Sequence, residues 1–159
     1  MEYISKNEDE TKKIAFEFGH ILTEKCDDQL CRRAPSATST VVGLYGDLGS
    51  GKTTFMKYLA EYFGITETIQ SPTFVIMKIY QTSSHNEVFK HLIHIDAYRL
   101  EKESEMLNLG WQEIISDSKN LICIEWPERI VGIIPPHIVL KFEHGDKENE
   151  RKIKIKNNL

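Results

Sequence analysis

Apolar residues recur along this chain in two rhythms. Over residues 8 to about 25 they fall at Ile14, Phe18, Ile21 and Leu22, the spacing that lines one face of a helix, with acids early and Lys25 late. Residues 52–63 also read as a helix, and Gly64 follows as its C-terminal cap. Elsewhere the apolar residues run together. Residues 40–45 and 121–124 are short continuous runs of the kind that fill strands buried on both faces. Residues 74–81 and 88–96 read as two more strands joined by the polar stretch TSSHNE, and 137–142 with 151–155 as an antiparallel pair at the sheet edge. Residues 27–40, polar and holding Pro35, read as a loop, and 101–118 as a mixed segment with one short helix. The alternation predicts an α/β fold: a central mixed sheet flanked by helices, antiparallel strands at its edge, one domain over residues 1–159.

Composition narrows the class. With 159 residues, 40% hydrophobic and 28% charged, the chain can bury one core and is neither disordered nor fibrous. A net charge of -4 argues against a stand-alone nucleic-acid binder, which carries a basic footprint. Cys26, Cys31 and Cys123 are odd in number and form no C-x-x-C, so the expectation is a reducing, cytoplasmic setting without a disulfide framework or a zinc site. The polar start MEYISKNEDETKK lacks the apolar core of a signal peptide, and no run of apolar residues is long enough to span a membrane.

The chemistry concentrates between the first predicted strand and the second helix. Gly46, Asp47, Leu48, Gly49, Ser50, Gly51, Lys52 and Thr53 spell G-x-x-x-x-G-K-[ST], with Thr54 next. Glycines there let the backbone turn tightly and aim its N–H groups at phosphate oxygens. The helix that starts at the loop adds its N-terminal dipole. Lys52 supplies a point charge for the β- and γ-phosphates, and the Thr53 hydroxyl is placed to ligate Mg²⁺. The strand before and helix after are the context this motif requires.

Such a site needs a further acid at a strand end, and two are available. His-Leu-Ile-His-Ile-Asp96 and Leu-Ile-Cys-Ile-Glu125 each place a carboxylate where an apolar run stops, the edge at which open α/β sheets bind ligands. One is a candidate for Mg²⁺, the other for the attacking water or the γ-phosphate; strand-end caps are the plain alternative. Ser71-Pro72-Thr73 lies where a switch segment would lie, and also reads as a simple Ser-Pro turn. His94 shares a strand face with Asp96, so it either lines the site or packs beside it. Arg99 is a charge stabiliser or a partner of Glu101 or Glu103. In the last strand, Lys152, Lys154 and Lys156 read as edge protection. Arg151 points to the apolar side, toward a nucleotide or a carboxylate such as Glu143.

GDLGSGKTT at 46–54, SPTF at 71–74, HIDAYRL at 94–100 and EWPE at 125–128 occur in that order, and together the chain resembles the TsaE (YjeE) family of bacterial ATPases of tRNA threonylcarbamoyladenosine biosynthesis. The resemblance covers about residues 11–151. It implies a small P-loop ATPase that uses ATP and Mg²⁺ and works with TsaB-like and TsaD-like proteins, through which tRNA is reached. By the match, Thr53 and Glu125 hold Mg²⁺, and Asp96 and Thr73 sit at switch-like positions near the γ-phosphate. Lys52, Asp96 and Glu125 carry catalysis. Arg151 approaches the nucleotide from the C-terminal strand, and Thr11 lies near the base. Two other functions are weighed against this one. A small-metabolite kinase closes an arginine-rich lid, whereas the five arginines here are scattered. A nucleotide-gated binding module, with hydrolysis incidental, shares all these residues. A GTPase is disfavoured because no N-K-x-D motif is present.

Overall fold

Seven strands pair into one sheet in the order β1-β7-β6-β2-β5-β4-β3 in a computed structural model that describes residues 1–28 and 38–157. The strands are β1 (Glu2–Ser5), β2 (Thr40–Tyr45), β3 (Met77–Gln81), β4 (His91–Asp96), β5 (Asn120–Glu125), β6 (Ile138–His144) and β7 (Arg151–Asn157). The helices are α1 (Glu8–Asp28), α2 (Lys52–Tyr62), α3 (Glu103–Leu107) and α4 (Trp111–Ser116), with a 3-10 turn at Pro127–Ile130. The centre is parallel: β2 runs beside β5 and β6, and β4 beside β5. Both flanks are antiparallel, β3 on β4 at one side and β6, β7 and β1 at the other. This is the mixed, helix-flanked α/β sheet that the alternation predicts.

The buried strands are continuous apolar runs because each meets side chains on both faces. Leu92, Leu121, Leu44 and Leu140 face one layer, where Phe18 of α1 and Phe55, Met56 and Leu59 of α2 cover them. Ile93, Ile95, Ile122 and Ile124 face the other, under Met106 of α3, Trp111 of α4 and Ile130. Each fully buried side chain of this size contributes about 1.5–3 kcal/mol. Asn7 starts α1 by accepting the Glu10 N–H at 2.9 Å, and three acids fill the first turn. Gly64, at φ 71, ends the chain's exit from α2.

Several boundaries differ from the sequence reading. Helix α1 runs on to Asp28; most of the expected loop 27–40, with Cys31, Arg32 and Arg33, lies outside the described residues, as does the side chain of Cys26. Strand β3 begins at Met77, not residue 74, because a turn closes first: the Ile76 N–H donates to the Pro72 carbonyl. Strand β4 begins at His91, after Asn86 has tied down the Val88 and Phe89 amides. The segment 101–118 holds two short helices rather than one.

The N-terminal polar stretch conceals a strand. β1 pairs with β7, so β7 is interior and its lysines do not guard an edge. Lys154 instead pairs with Glu143 at 3.2 Å and Glu2 at 3.6 Å, and Lys152 with Asp146 at 3.4 Å. Too few alternating positions exist in four residues for periodicity to reveal such a strand.

Candidate nucleotide site

At the C-terminal end of β2 the chain turns through Gly46 at φ 143, a conformation that suits glycine. A Cβ at Gly46 would sit 2.3 Å from the Phe142 carbonyl, so the loop is pressed against β6 at this point. Gly51, at φ 102, then opens α2, with the Phe55 N–H donating back to its carbonyl at 2.9 Å. The loop and the strand ends enclose an open cleft of about 290 Å³. Leu48, Gly49, Gly51, Lys52, Thr53 and Thr54 form one wall. Ser71, Thr73, Asp96, Tyr98, Glu125 and Trp126 form the other.

Lys52 is 4% exposed. Its ammonium donates to the carbonyls of Gly46 at 2.6 Å and Asp47 at 2.9 Å, and lies 4.2 Å from the centre of the Trp126 ring. Burial pulls its pKa below the usual lysine range, while the fields of Glu125, Glu128, Asp96 and Asp47 oppose that shift. Trp126 reaches this place because its backbone takes φ 59, a rare left-handed conformation for a non-glycine residue.

The parallel register sets Asp96 beside Glu125. Both belong to the positions whose side chains face α2, the face that β4 and β5 offer at every second residue. The Thr53 hydroxyl donates to the Glu125 carboxylate, 3.0 Å from Oε1 and 3.3 Å from Oε2. The fully buried His94 also reaches this carboxylate, its Nε2 2.9 Å from Oε1. Asp96 Oδ2 accepts hydrogen bonds from the hydroxyls of Ser71 and Thr73, and its Oδ1 accepts the Tyr98 N–H at 3.0 Å. The segment 71–73 is thereby tied to the acid at the end of β4.

Two oxygens in adjacent positions of a Mg²⁺ octahedron are about 3 Å apart. Thr53 Oγ1 and Glu125 Oε1 have that separation, so the donor set fits Mg²⁺. Among the described residues no cluster of three His, Cys, Asp or Glu could hold a metal alone. Mg²⁺ commonly completes its shell with water and phosphate oxygens.

Other expected residues stand further off. The Arg151 stem passes over the loop, its Cγ 3.8 Å from where a Gly51 Cβ would be. Its guanidinium donates to the carbonyls of Glu148 at 2.7 Å and Glu150 at 2.9 Å, not to Glu143. Thr11 does not line the cleft; its hydroxyl is 2.7 Å from that of Ser5, the register partner of Arg151. Thr11 and Arg151 therefore lie on one flank of the loop. Arg99 stacks on Phe74, 4.3 Å from the ring centre, instead of pairing with Glu101 or Glu103. The sequence reading missed the Ser71–Asp96 bond and the position of Trp126 over Lys52. Strand alternation had put His94 on the correct face, but its link to Glu125 needed the register of β4 on β5.

A glycine loop between a parallel strand and a helix, with acids on the two neighbouring strand ends, places the chain among proteins of P-loop NTPase-like fold. Residues 5–153 match the family profile described as Threonylcarbamoyl adenosine biosynthesis protein TsaE. The chain belongs to this TsaE family, whose members act in tRNA threonylcarbamoyladenosine biosynthesis. It is 37% identical over 150 residues to the "tRNA threonylcarbamoyladenosine biosynthesis protein TsaE" of Rickettsia felis, covering 93% of this chain and 75% of that one. The Bacillus subtilis protein of the same description is 42% identical over 113 residues, 69% of this chain and 66% of that one. The Aquifex aeolicus protein is 33% identical over 156 residues, 97% and 94% of the two chains. The crystal structure of YdiB from Bacillus superposes with a TM-score of 0.67 at 26% identity, covering 100% of this chain and 86% of that one.

Proposed function

We propose that this protein is the Mg²⁺-dependent ATPase component of the threonylcarbamoyladenosine tRNA-modification machinery. It binds and hydrolyses ATP to support turnover of a TsaB-like and TsaD-like pair. The observation that carries the reading is the convergence of Lys52, Thr53 and Glu125 at the mouth of the glycine loop.

The amides of residues 46–51 and the N-terminus of α2 bind the phosphate chain, and the Lys52 ammonium moves from loop carbonyls to phosphate oxygens. Thr53 and Glu125 would hold Mg²⁺, which when bound offsets charge on the phosphate oxygens. Thr73, bonded to Asp96, would meet the γ-phosphate, and Asp96 would orient the attacking water. Asp47, Leu48, Gly49, Ser50 and Thr54 complete the phosphate contacts, and Arg151, whose stem lies over Gly51, would approach the nucleotide from the flank that holds Thr11, near the base but outside the cleft lining. Intrinsic turnover is slow, because the described residues put no arginine in the cleft to stabilise the transition state.

Partner docking is supported by the rim of the cleft, where Leu48, Phe74 and Val75 are 80%, 84% and 64% exposed. The net charge of -4 suits a component that reaches tRNA through its partners, in the cytoplasm. No helix among the described residues is long and apolar enough to cross a membrane.

The test pairs ATPase rates with pull-down of the TsaB-like and TsaD-like proteins in ATP, in ADP and without nucleotide. Slow hydrolysis alone, and a yield of partner that changes with the nucleotide, are expected. Equal capture in all three conditions, with no release of phosphate, would end the proposal.

A further inference from the structure

We propose that His94 is a positioning residue, fixing the Glu125 carboxylate in the orientation that Mg²⁺ needs; the inference rests on the function proposed above. His94 lies inside an apolar strand, between Ile93 and Ile95, and is fully buried. An apolar side chain would fill this place without desolvating a ring nitrogen. An imidazole stands there nonetheless, and its Nδ1 has no hydrogen-bond partner among the described residues. Packing alone does not account for a polar ring half satisfied in the middle of the sheet.

The ring's one contact explains it. Its register partner on β5 is Cys123, so Glu125 is the next residue along on the same face. From that inner position Nε2 reaches Glu125 Oε1 at 2.9 Å, while Thr53 reaches the same carboxylate from the cleft. A glutamate has three freely turning side-chain bonds, and a single hydroxyl contact leaves it able to swing. A second contact to the same Oε1, from a packed imidazole, removes that freedom. Because a carboxylate accepts, Nε2 carries the hydrogen of this bond. Among the described residues no other charged side chain bonds the ring: its register partner on β3, Lys78, turns to the Tyr80 ring and to Glu67. Partners that orient a metal-holding side chain commonly matter about 10- to 100-fold in metal affinity.

The test compares wild type, His94→Leu and His94→Gln, the last keeping an N–H in reach of the carboxylate. A fluorescent ATP analogue is titrated at rising Mg²⁺ and, separately, in EDTA. Thermal melts are run on each variant, and ¹⁵N NMR of the imidazole nitrogens is recorded on wild type and Glu125→Gln. His94→Leu is expected to raise the Mg²⁺ concentration for half-effect about tenfold or more. It should leave binding in EDTA within about twofold and keep the melting temperature. His94→Gln should recover most of the loss. In wild type the hydrogen should sit on Nε2, with shifts that move in Glu125→Gln. Unchanged Mg²⁺ dependence in His94→Leu, no recovery in His94→Gln, or a hydrogen on Nδ1 overturns the assignment. If His94→Leu does not fold, His94→Gln and the NMR of wild type decide. Wild type that binds no nucleotide would sink the function proposed above and this assignment with it. Wild type that binds Mg²⁺ and ATP normally beside a silent His94→Leu sinks this assignment alone.

Discussion

Replacing Lys52 by methionine separates what the ammonium does for the fold from what it does for a ligand. In the folded chain the group makes two hydrogen bonds to loop carbonyls and sits over the Trp126 ring. Each bond contributes about 1 kcal/mol net, and the ring contact about 0.5–2 kcal/mol. Against that stands the desolvation of a buried ammonium, the same burial that lowers its pKa. These terms oppose each other, so Lys52→Met should change stability by no more than about 1–2 kcal/mol. Phosphate binding has no such compensation. Hydrogen bonds to a charged group are worth about 1.5–3 kcal/mol, so ATP affinity should fall about 10- to 150-fold. The assay is titration of a fluorescent ATP analogue, with a thermal melt of the same samples. Affinity within about threefold of wild type, in a protein that melts normally, would refute the placement of the phosphate chain. Unfolding of the variant would show that the ammonium is structural.

Three further outcomes follow from other parts of the molecule. Gly46→Ala forces a Cβ to 2.3 Å from the Phe142 carbonyl and should cost more than about 3 kcal/mol or prevent folding, whereas Gly49→Ala meets nothing within 4 Å and should cost about 1–2 kcal/mol from its φ of 75 alone; chemical denaturation ranks them, and the reverse order is incompatible with the loop as described. Phe55→Ala, which removes a fully buried ring packed on Phe18 and Phe142, should cost about 3–5 kcal/mol by the same method. The hydrogen bond from Tyr58 to Glu8, with burial next, pushes that phenol up to about 12. Between pH 10 and about 12 the folded protein therefore keeps a proton that the unfolded chain releases. The stability this contributes is complete below pH 10 and is lost as pH climbs through that window. Alkaline denaturation should be less steep there in Tyr58→Phe, and equal slopes would disprove the coupling of α1 to α2 through this pair.

What could be seen in the residues themselves was whatever is local. The loop at 46–53 carries its chemistry in consecutive positions, and β2, β4 and β5 announce themselves because burial on both faces makes their interiors apolar, with His94 the exception. Asp96 and Glu125 were legible as strand-end acids for the same reason. Partnerships between distant segments were not. The pairing of Glu2 with Lys154 and the pinning of Ser71 by Asp96 depend on register, which periodicity does not encode. Arg99 misled because nearby acids suggest an ion pair, while an exposed Phe74 ring offers a planar guanidinium a stacking surface instead. Trp126 lines the cleft through a backbone conformation that no composition rule assigns to tryptophan.

The outer strand pair has a consequence for biosynthesis. Ser5 meets Arg151, and that meeting sets the flank of the glycine loop on which Thr11 also rests. During translation, Glu2–Ser5 leaves the ribosome with its sheet neighbour still some 150 residues from being made. The parallel centre can gather first, around Leu44, Leu121 and Leu92. The flank of the loop built from β1 and β7 is completed last, so a nascent protein stopped before Arg151 would possess the loop and both walls of the cleft and lack that flank.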